Sequence, residues 1–394
     1  MSTMTFDLQR ARLETPGTAH VLHFNNAGSA LTSQPVLDAT SAYLQREAQI
    51  GGYEAALEAH EALENTYLAV ARLIGAKRSE IALTESADSA WNRAFYSISF
   101  KPGDRVLTSK AEYHSNYIVY LQAQKRLGIT IEAVPNDEYG QLDVAALRQM
   151  LDERVRLISV THIPTSGGLV NPAAEIGKVA REHGILYLLD ACQSIGQIPI
   201  NVETIGCDLL SATGRKYLRA PRGTGFLYVR ETMVDQLEPL ILSGFSAEWT
   251  SPTTYEVHAG ANRFENFESN KAAMLGLGVA IDYAMQWDIA ATWRRIRTLA
   301  YTLRTGLAAL PGVLVHDRGL VQCGIVTFTV EGHEPAAIQR LLSEQHINVT
   351  VASRSSTLLD LSERSLESMI RASVHYYNSE EEVARFCETI ATLA

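Results

Sequence analysis

Cysteine is scarce and scattered: Cys192, Cys207, Cys323 and Cys387 are the four in 394 residues. They form neither a disulfide framework nor the CxxC spacing of a zinc site, so they are read as small buried hydrophobes and no metal is expected. No apolar run approaches the ~20 residues that span a bilayer. The opening MSTMTFDLQRARLETPG lacks the apolar stretch of a secretory signal, and a cytoplasmic protein with no membrane partner is expected. Basic residues are outnumbered, 34 Lys and Arg against 44 Asp and Glu. A chain with net charge -10 and no Lys/Arg-rich run has no surface stripe for phosphate backbones, which argues against a nucleic-acid partner. No GxGxxG follows an early strand, which disfavours a dinucleotide fold, and there is no internal repeat or low-complexity tract.

What is present is an ordinary globular composition, 46% hydrophobic and 20% charged, long enough to bury a large core. Short aliphatic and β-branched runs alternate with amphipathic stretches between residues 80 and 230: IALT at 81, RVLTS at 105, ITIEAV at 129, RLISVTH at 156, ILYLLD at 185, DLLSAT at 208 and GFLYV at 225. Helices are expected to start near Ala87, Glu112, Asp143, Ala173 and Val202. This is the pattern of βα units around a mostly parallel sheet. One long helical stretch, Lys271 to Leu310, precedes Pro311-Gly312, and a strand, helix, strand, strand, helix order follows. We expect an α/β large domain over residues 20–255, together with the helix around 271–290. A smaller α+β domain should occupy 291–394, with residues 1–20 a possible addition to it.

In such sheets ligands bind at the carboxyl ends of the strands. Asp190 ends an almost wholly apolar run in LLDACQSIG, and a carboxylate there is costly unless paired. A protonated pyridine nitrogen would pair it and make the ring an electron sink; a capping Asp at a strand-to-helix turn is the plainer alternative. Lys216 lies 26 positions later (216 minus 190), in SATGRKYLRAPRGTGFLYV. A lysine on such a turn can be desolvated until its amine is nucleophilic, although an isolated lysine is usually a solvated one.

These two segments resemble those of class V aminotransferase-like enzymes of pyridoxal-phosphate (PLP) fold type I, a group that includes cysteine desulfurases, isopenicillin N epimerase and the carbon-sulfur lyases of ergothioneine synthesis. The similarity runs from HFNNAGSAL at 23 to RASVHYYNSEEEV at 371. It implies PLP as cofactor and a seven-stranded large domain. By position, Lys216 matches the lysine that carries PLP, Asp190 the partner of the ring nitrogen and Gln193 the residue bonded to the phenolic oxygen. Ala87 and Asp88 match the phosphate-binding helix N-terminus, with Thr213 and Arg215 completing the phosphate cup. His114 matches the histidine that stacks on the ring and moves protons. Thr165 falls where desulfurases usually carry Asn. Arg371 matches the arginine that receives the substrate α-carboxylate, and Asn26, with Asn25, Gly28 and Tyr53, is expected at the substrate entrance. RFENFESN at 263 matches a segment that reaches a neighbouring subunit, implying a homodimer with shared active sites.

Cysteine desulfurases carry a catalytic cysteine on a loop shortly before the carboxylate-binding arginine. Here that stretch, VASRSSTLLDLSERSLESM, offers Ser355, Ser356 and Thr357, and serine cannot accept sulfur. A persulfide-forming desulfurase is therefore not expected. The preferred reading is a carbon-sulfur lyase acting on a cysteine-type amino acid by β-elimination, with Lys216 moving the α-proton. The alternatives are an aminotransferase or an epimerase like isopenicillin N epimerase, and then a catalytically silent partner subunit. The last is disfavoured by the intact Lys216, Asp190, Gln193 and Arg371.

Overall fold

All seven strand runs enter one sheet in the computed structural model, which describes residues 6–393. The strands are β1 (Ile81–Thr84), β2 (Arg105–Ser109), β3 (Thr130–Val134), β4 (Val155–Thr161), β5 (Leu186–Asp190), β6 (Leu209–Thr213) and β7 (Gly225–Val229). Their order is β1-β7-β6-β5-β4-β2-β3. Pairing from β6 through β3 is parallel, and β7 runs antiparallel to both neighbours. The register sets Thr161, Asp190 and Ser211 abreast at the carboxyl ends of β4, β5 and β6.

The central strands read as continuous apolar runs because helices cover both faces. Successive side chains point to opposite sides. Leu188 and Leu209 therefore pack with Trp91, Phe95 and Tyr120 on one face, while Leu189 and Leu210 pack with Val70, Ile176 and Ile205 on the other. Each fully buried Leu or Phe contributes roughly 1.5–3 kcal/mol of transfer free energy, and together these two layers fix the sheet that carries the site.

The stretch expected as one helix from Lys271 to Leu310 is two, Lys271–Gln286 and Ile289–Ala308. Asp288 breaks it by adopting φ 57 and capping the second helix, its carboxylate accepting from Ala290 N–H at 3.0 Å. Left-handed backbone suits Asp better than most residues, because its short side chain bonds locally. A four-stranded antiparallel sheet follows, in the order Val313–Val315, Ile325–Val330, Ser368–Ser373, Thr350–Ser353. The helix Glu380–Ala391 packs on it through Phe386 and Ile390.

The N-terminal segment joins this second core beyond residue 20. Ala11, Leu22, Phe24 and Ala27 pack with it, Leu22–His23 pairs in parallel with Ile347–Asn348, and Asn25 bridges to Ser373. Residues 1–5 of the segment expected there lie outside the described residues. Among the described residues, no helix is long and apolar enough to cross a membrane.

Candidate cofactor and substrate site

The carboxyl ends of β4, β5 and β6 open into a cavity of about 280 Å³. Of the residues singled out from the sequence, Ala87, Asp88, Thr165, Asp190, Gln193, Thr213, Arg215 and Lys216 line it.

Lys216 sits on the loop between β6 and β7 and is 8% exposed. Burial lowers its pKa to about 8, and Arg215 adds to the lowering against the opposing influence of Cys192. The loop is held by Arg219, a non-glycine residue at φ 64. Arg219 donates to the Leu31 carbonyl at 2.7 Å and to Tyr376 Oη and Thr15 Oγ1, each at 2.6 Å. Its own N–H bonds the Lys216 carbonyl at 2.9 Å. A strained residue persists where its surroundings over-determine it, and here the three side-chain bonds of Arg219 hold the strained turn that carries Lys216.

Asp190 is 5% exposed. One oxygen accepts from Cys192 N–H and the other from Asn116 Nδ2, both at 2.9 Å. Among the described residues it has no cationic side-chain partner, so a buried carboxylate stands at the cavity wall without a counter-charge. Arg371 is its converse, a buried guanidinium with no acid paired to it among the described residues. It donates to Thr165 Oγ1 and, at 3.4 Å, to Asn25 Oδ1, while its Nε has no partner. Burial lowers its pKa to about 10. Gln193 bonds the Ala27 carbonyl at 3.0 Å and leaves its buried Oε1 without a partner.

Ala87 and Asp88 open the helix Ala87–Tyr96, whose cap Ser86 accepts from Ser89 N–H at 3.1 Å. A Cβ at Gly225 would meet the Ser86 carbonyl carbon at 2.6 Å and Ala87 N at 2.9 Å, so glycine lets β7 run tight against this N-terminus. Free N–H groups and the helix dipole there suit an anion. Thr213 and Arg215 flank it, although Arg215 also donates to the Gly28 carbonyl.

Two expected residues are placed differently. Tyr113 and Asn116, rather than His114, line the cavity, and Lys216 Nζ lies 6.0 Å from the Tyr113 ring centroid. His114 is the first residue of its helix, half-buried with Nδ1 unpartnered. Asn26 is wholly buried. Its Nδ2 donates to the Ser373 carbonyl at 2.7 Å and its Oδ1 accepts from Tyr377 Oη, so its polar groups are committed inside the fold. Asn25 is the asparagine beside Arg371. Asn26→Ala should therefore destabilise the protein by about 2–4 kcal/mol, because it orphans buried partners, with little change in KM; an unaltered thermal melt with a raised KM would return Asn26 to the substrate.

Sequence reasoning missed Glu112, a fully buried second carboxylate. It accepts from Thr108 Oγ1 and Tyr113 N–H at 2.9 Å, from Thr161 N–H at 3.1 Å and from Asn116 Nδ2 at 3.0 Å. Burial, with Asp190 nearby, raises its pKa. Asn116 thus bridges the two acids, and its buried amide was the only available signal.

The donor set fits PLP: an unpaired carboxylate for a ring nitrogen, a desolvated lysine for a carbonyl and a helix N-terminus for a phosphate. Fold and site together define a PLP-dependent enzyme of fold type I. Comparison with known proteins gives the family. The model described as aminotransferase class-V matches residues 22–386, and the chain belongs to that family. A protein from Methanothermobacter thermautotrophicus named "Probable cysteine desulfurase" is 30% identical over 97% of this chain and 97% of its own. One of the same name from Pyrococcus abyssi is 29% identical over 97% and 96%. The apo cysteine desulfurase of Thermococcus onnurineus superposes with a TM-score of 0.93 at 28% identity, over 100% of this chain and 99% of that one.

These full-length relatives overturn the expectation that a desulfurase is excluded, and with it the preference for a β-eliminating lyase. The physical error is identifiable. A cysteine on the loop before Arg371 determines where sulfur goes, whereas the pocket determines whether the C–S bond is activated. The absent thiol does not bear on the second question.

Proposed function

We propose that this protein is a PLP-dependent cysteine desulfurase, removing the sulfur of a cysteine-type amino acid to leave alanine. The observation that carries the reading is a pair of buried charges with no ionic partner among the described residues: Asp190, which lines one cavity with Lys216, and Arg371, which is bonded to Thr165 of the same lining. It is supported by relatives with that name over the length of the chain.

PLP, when bound, supplies an electron sink that acidifies the bond from the substrate α-carbon to hydrogen. Lys216 would hold the cofactor and then move the α-proton, a role for which a pKa lowered to about 8 suits it near neutrality. Asp190 would keep the ring nitrogen protonated. Arg371 would receive the α-carboxylate in a forked contact, relieving its unpartnered Nε. Ala87, Asp88, Thr213 and Arg215 would surround the phosphate; Tyr113 would take the ring-facing position expected of His114, and Gln193 with Thr165 would border the phenolic oxygen.

The direct test is PLP-loaded protein with cysteine, scored for alanine and for sulfane sulfur. Pyruvate and ammonia in their place would sink the desulfurase reading. Arg371→Lys should raise KM roughly 30-fold, about 2 kcal/mol, with a smaller effect on kcat, because an ammonium cannot form the two-pronged contact. An unchanged KM would remove Arg371 from the substrate.

A homodimer belongs to the same proposal. The hairpin Ala247–Val257 turns Trp249 and Tyr255 outward, at 78% and 55% exposed, and Phe267 follows it at 56%. Exposed aromatic clusters mark contact surfaces. Within RFENFESN, however, Glu265 is buried against Tyr67 Oη and Leu83 N–H, so only the residues after it are free to reach a second subunit. All four cysteines are free thiols, in keeping with a cytoplasmic enzyme.

A further inference from the structure

Taking sulfur from cysteine as alanine requires a sulfur acceptor. A thiolate attacks the substrate sulfur, an S–S bond forms and the Cβ–S bond breaks. Its electron pair stays on carbon and is protonated. One cysteine and one thiol give one alanine and one persulfide, with no further oxidant or reductant. The acceptor thiol must reach the substrate sulfur inside the cavity.

None of the chain's own thiols is suited to that. Cys207 and Cys323 are 0% exposed and burial pushes both thiols up to about 12. Cys387 lies on the C-terminal helix against Gly306, whose Cβ, if present, would stand 2.9 Å from its Sγ, and it packs in the second core, away from the cavity. Cys192 alone lines the cavity. It follows Asp190 by two residues and donates its N–H to that carboxylate. The charged groups around it are Asp190, Lys216 and Asp88 and not Arg371, which sets it at the ring-nitrogen side of the site, away from the arginine assigned to the substrate carboxylate; burial with the Asp190 charge also disfavours its thiolate. The loop that could deliver a thiol from outside, Ser353 to Thr357, carries hydroxyls. Ser353 and Ser355 bond each other at 2.8 Å, Thr357 is buried, and none of the five lines the cavity.

Resting on the desulfurase reading, we infer that the second substrate is a small soluble thiol, such as another molecule of cysteine, which enters the cavity and leaves as a persulfide. The protein then carries no sulfur between turnovers.

The test is a single-turnover experiment with PLP-loaded enzyme in excess over cysteine, with and without 2-mercaptoethanol, quenched in an alkylating agent and analysed for alanine and for persulfide on every cysteine peptide. Without added thiol, alanine should stay below a tenth of the enzyme-bound cysteine. With it, alanine should form at a rate proportional to thiol concentration, and the alkylated persulfide should be found on mercaptoethanol. Stoichiometric alanine without thiol, with one sulfur added to a peptide of this chain, would overturn the inference while leaving the desulfurase reading intact. No alanine under either condition would instead remove the desulfurase reading and this inference with it.

Discussion

A Lys216→Ala variant should fold, bind PLP reversibly and lose alanine formation by at least ~10³-fold, the scale expected when the group that holds the cofactor and moves the proton is removed. The colour of the wild-type protein should survive dialysis and that of the variant should not. The fold should tolerate the change because the turn is fixed by Arg219 and its three acceptors rather than by the lysine amine. The same residue sets a pH dependence. Its folded-state pKa is depressed from 10.5 to about 8, so below pH 8 the apo-protein holds a protonated amine that cannot add to a carbonyl. Stopped-flow PLP uptake should speed up about tenfold per pH unit up to pH 8 and level off above it. A flat profile, or a variant that retains its colour, would exclude Lys216 as the attachment point.

Much of this was legible in the chain. The seven strands were found because each is a short aliphatic, aromatic or β-branched run; six are buried along almost their whole length, and the half-exposed edge strand β3 was found by its β-branched residues. Asp190 was readable only together with Lys216 and the resemblance of both segments, because an acid closing such a run could equally be a cap at a strand-to-helix turn. What escaped were distinctions that depend on one residue of rotation. Tyr113 and His114 are adjacent rings at a helix start, and only the placement of that helix decides which one faces the cavity. Asn25 and Asn26 point opposite ways for the same reason, one bridged to Ser373 and the other buried beneath it. Glu112 was invisible because an acid at a helix start usually faces solvent, and its burial depends on Thr161, 49 positions away. Arg371 approaches Thr165 across 206 positions, and only the family resemblance, not local pattern, could place it.

Asp190→Ala should separate cofactor capture from catalysis. Lys216 does not need the ring nitrogen to be charged in order to hold the cofactor, so the variant should remain coloured after dialysis. Its activity should fall far more, because a neutral ring withdraws electrons poorly from the substrate α-carbon. Removing one member of a buried ion pair costs about 3–5 kcal/mol, roughly 10²- to 10⁴-fold in rate if it is expressed in the transition state. The loss should appear in kcat more than in KM, since Arg371 still receives the carboxylate. The surrounding structure argues that the charge itself is what matters. Asn116 donates one amide hydrogen to Asp190 and the other to Glu112, and burial with the charge of Asp190 disfavours ionisation of Glu112. Glu112 is therefore held back from competing for the ring, and Asp190 is left as the carboxylate that faces the cavity. A PLP analogue methylated at the ring nitrogen, and so permanently positive, should recover part of the lost rate in Asp190→Ala and give no gain in the wild type. If the variant kept its rate within tenfold, or the analogue failed to rescue it, the ring-nitrogen role of Asp190 would have to be abandoned.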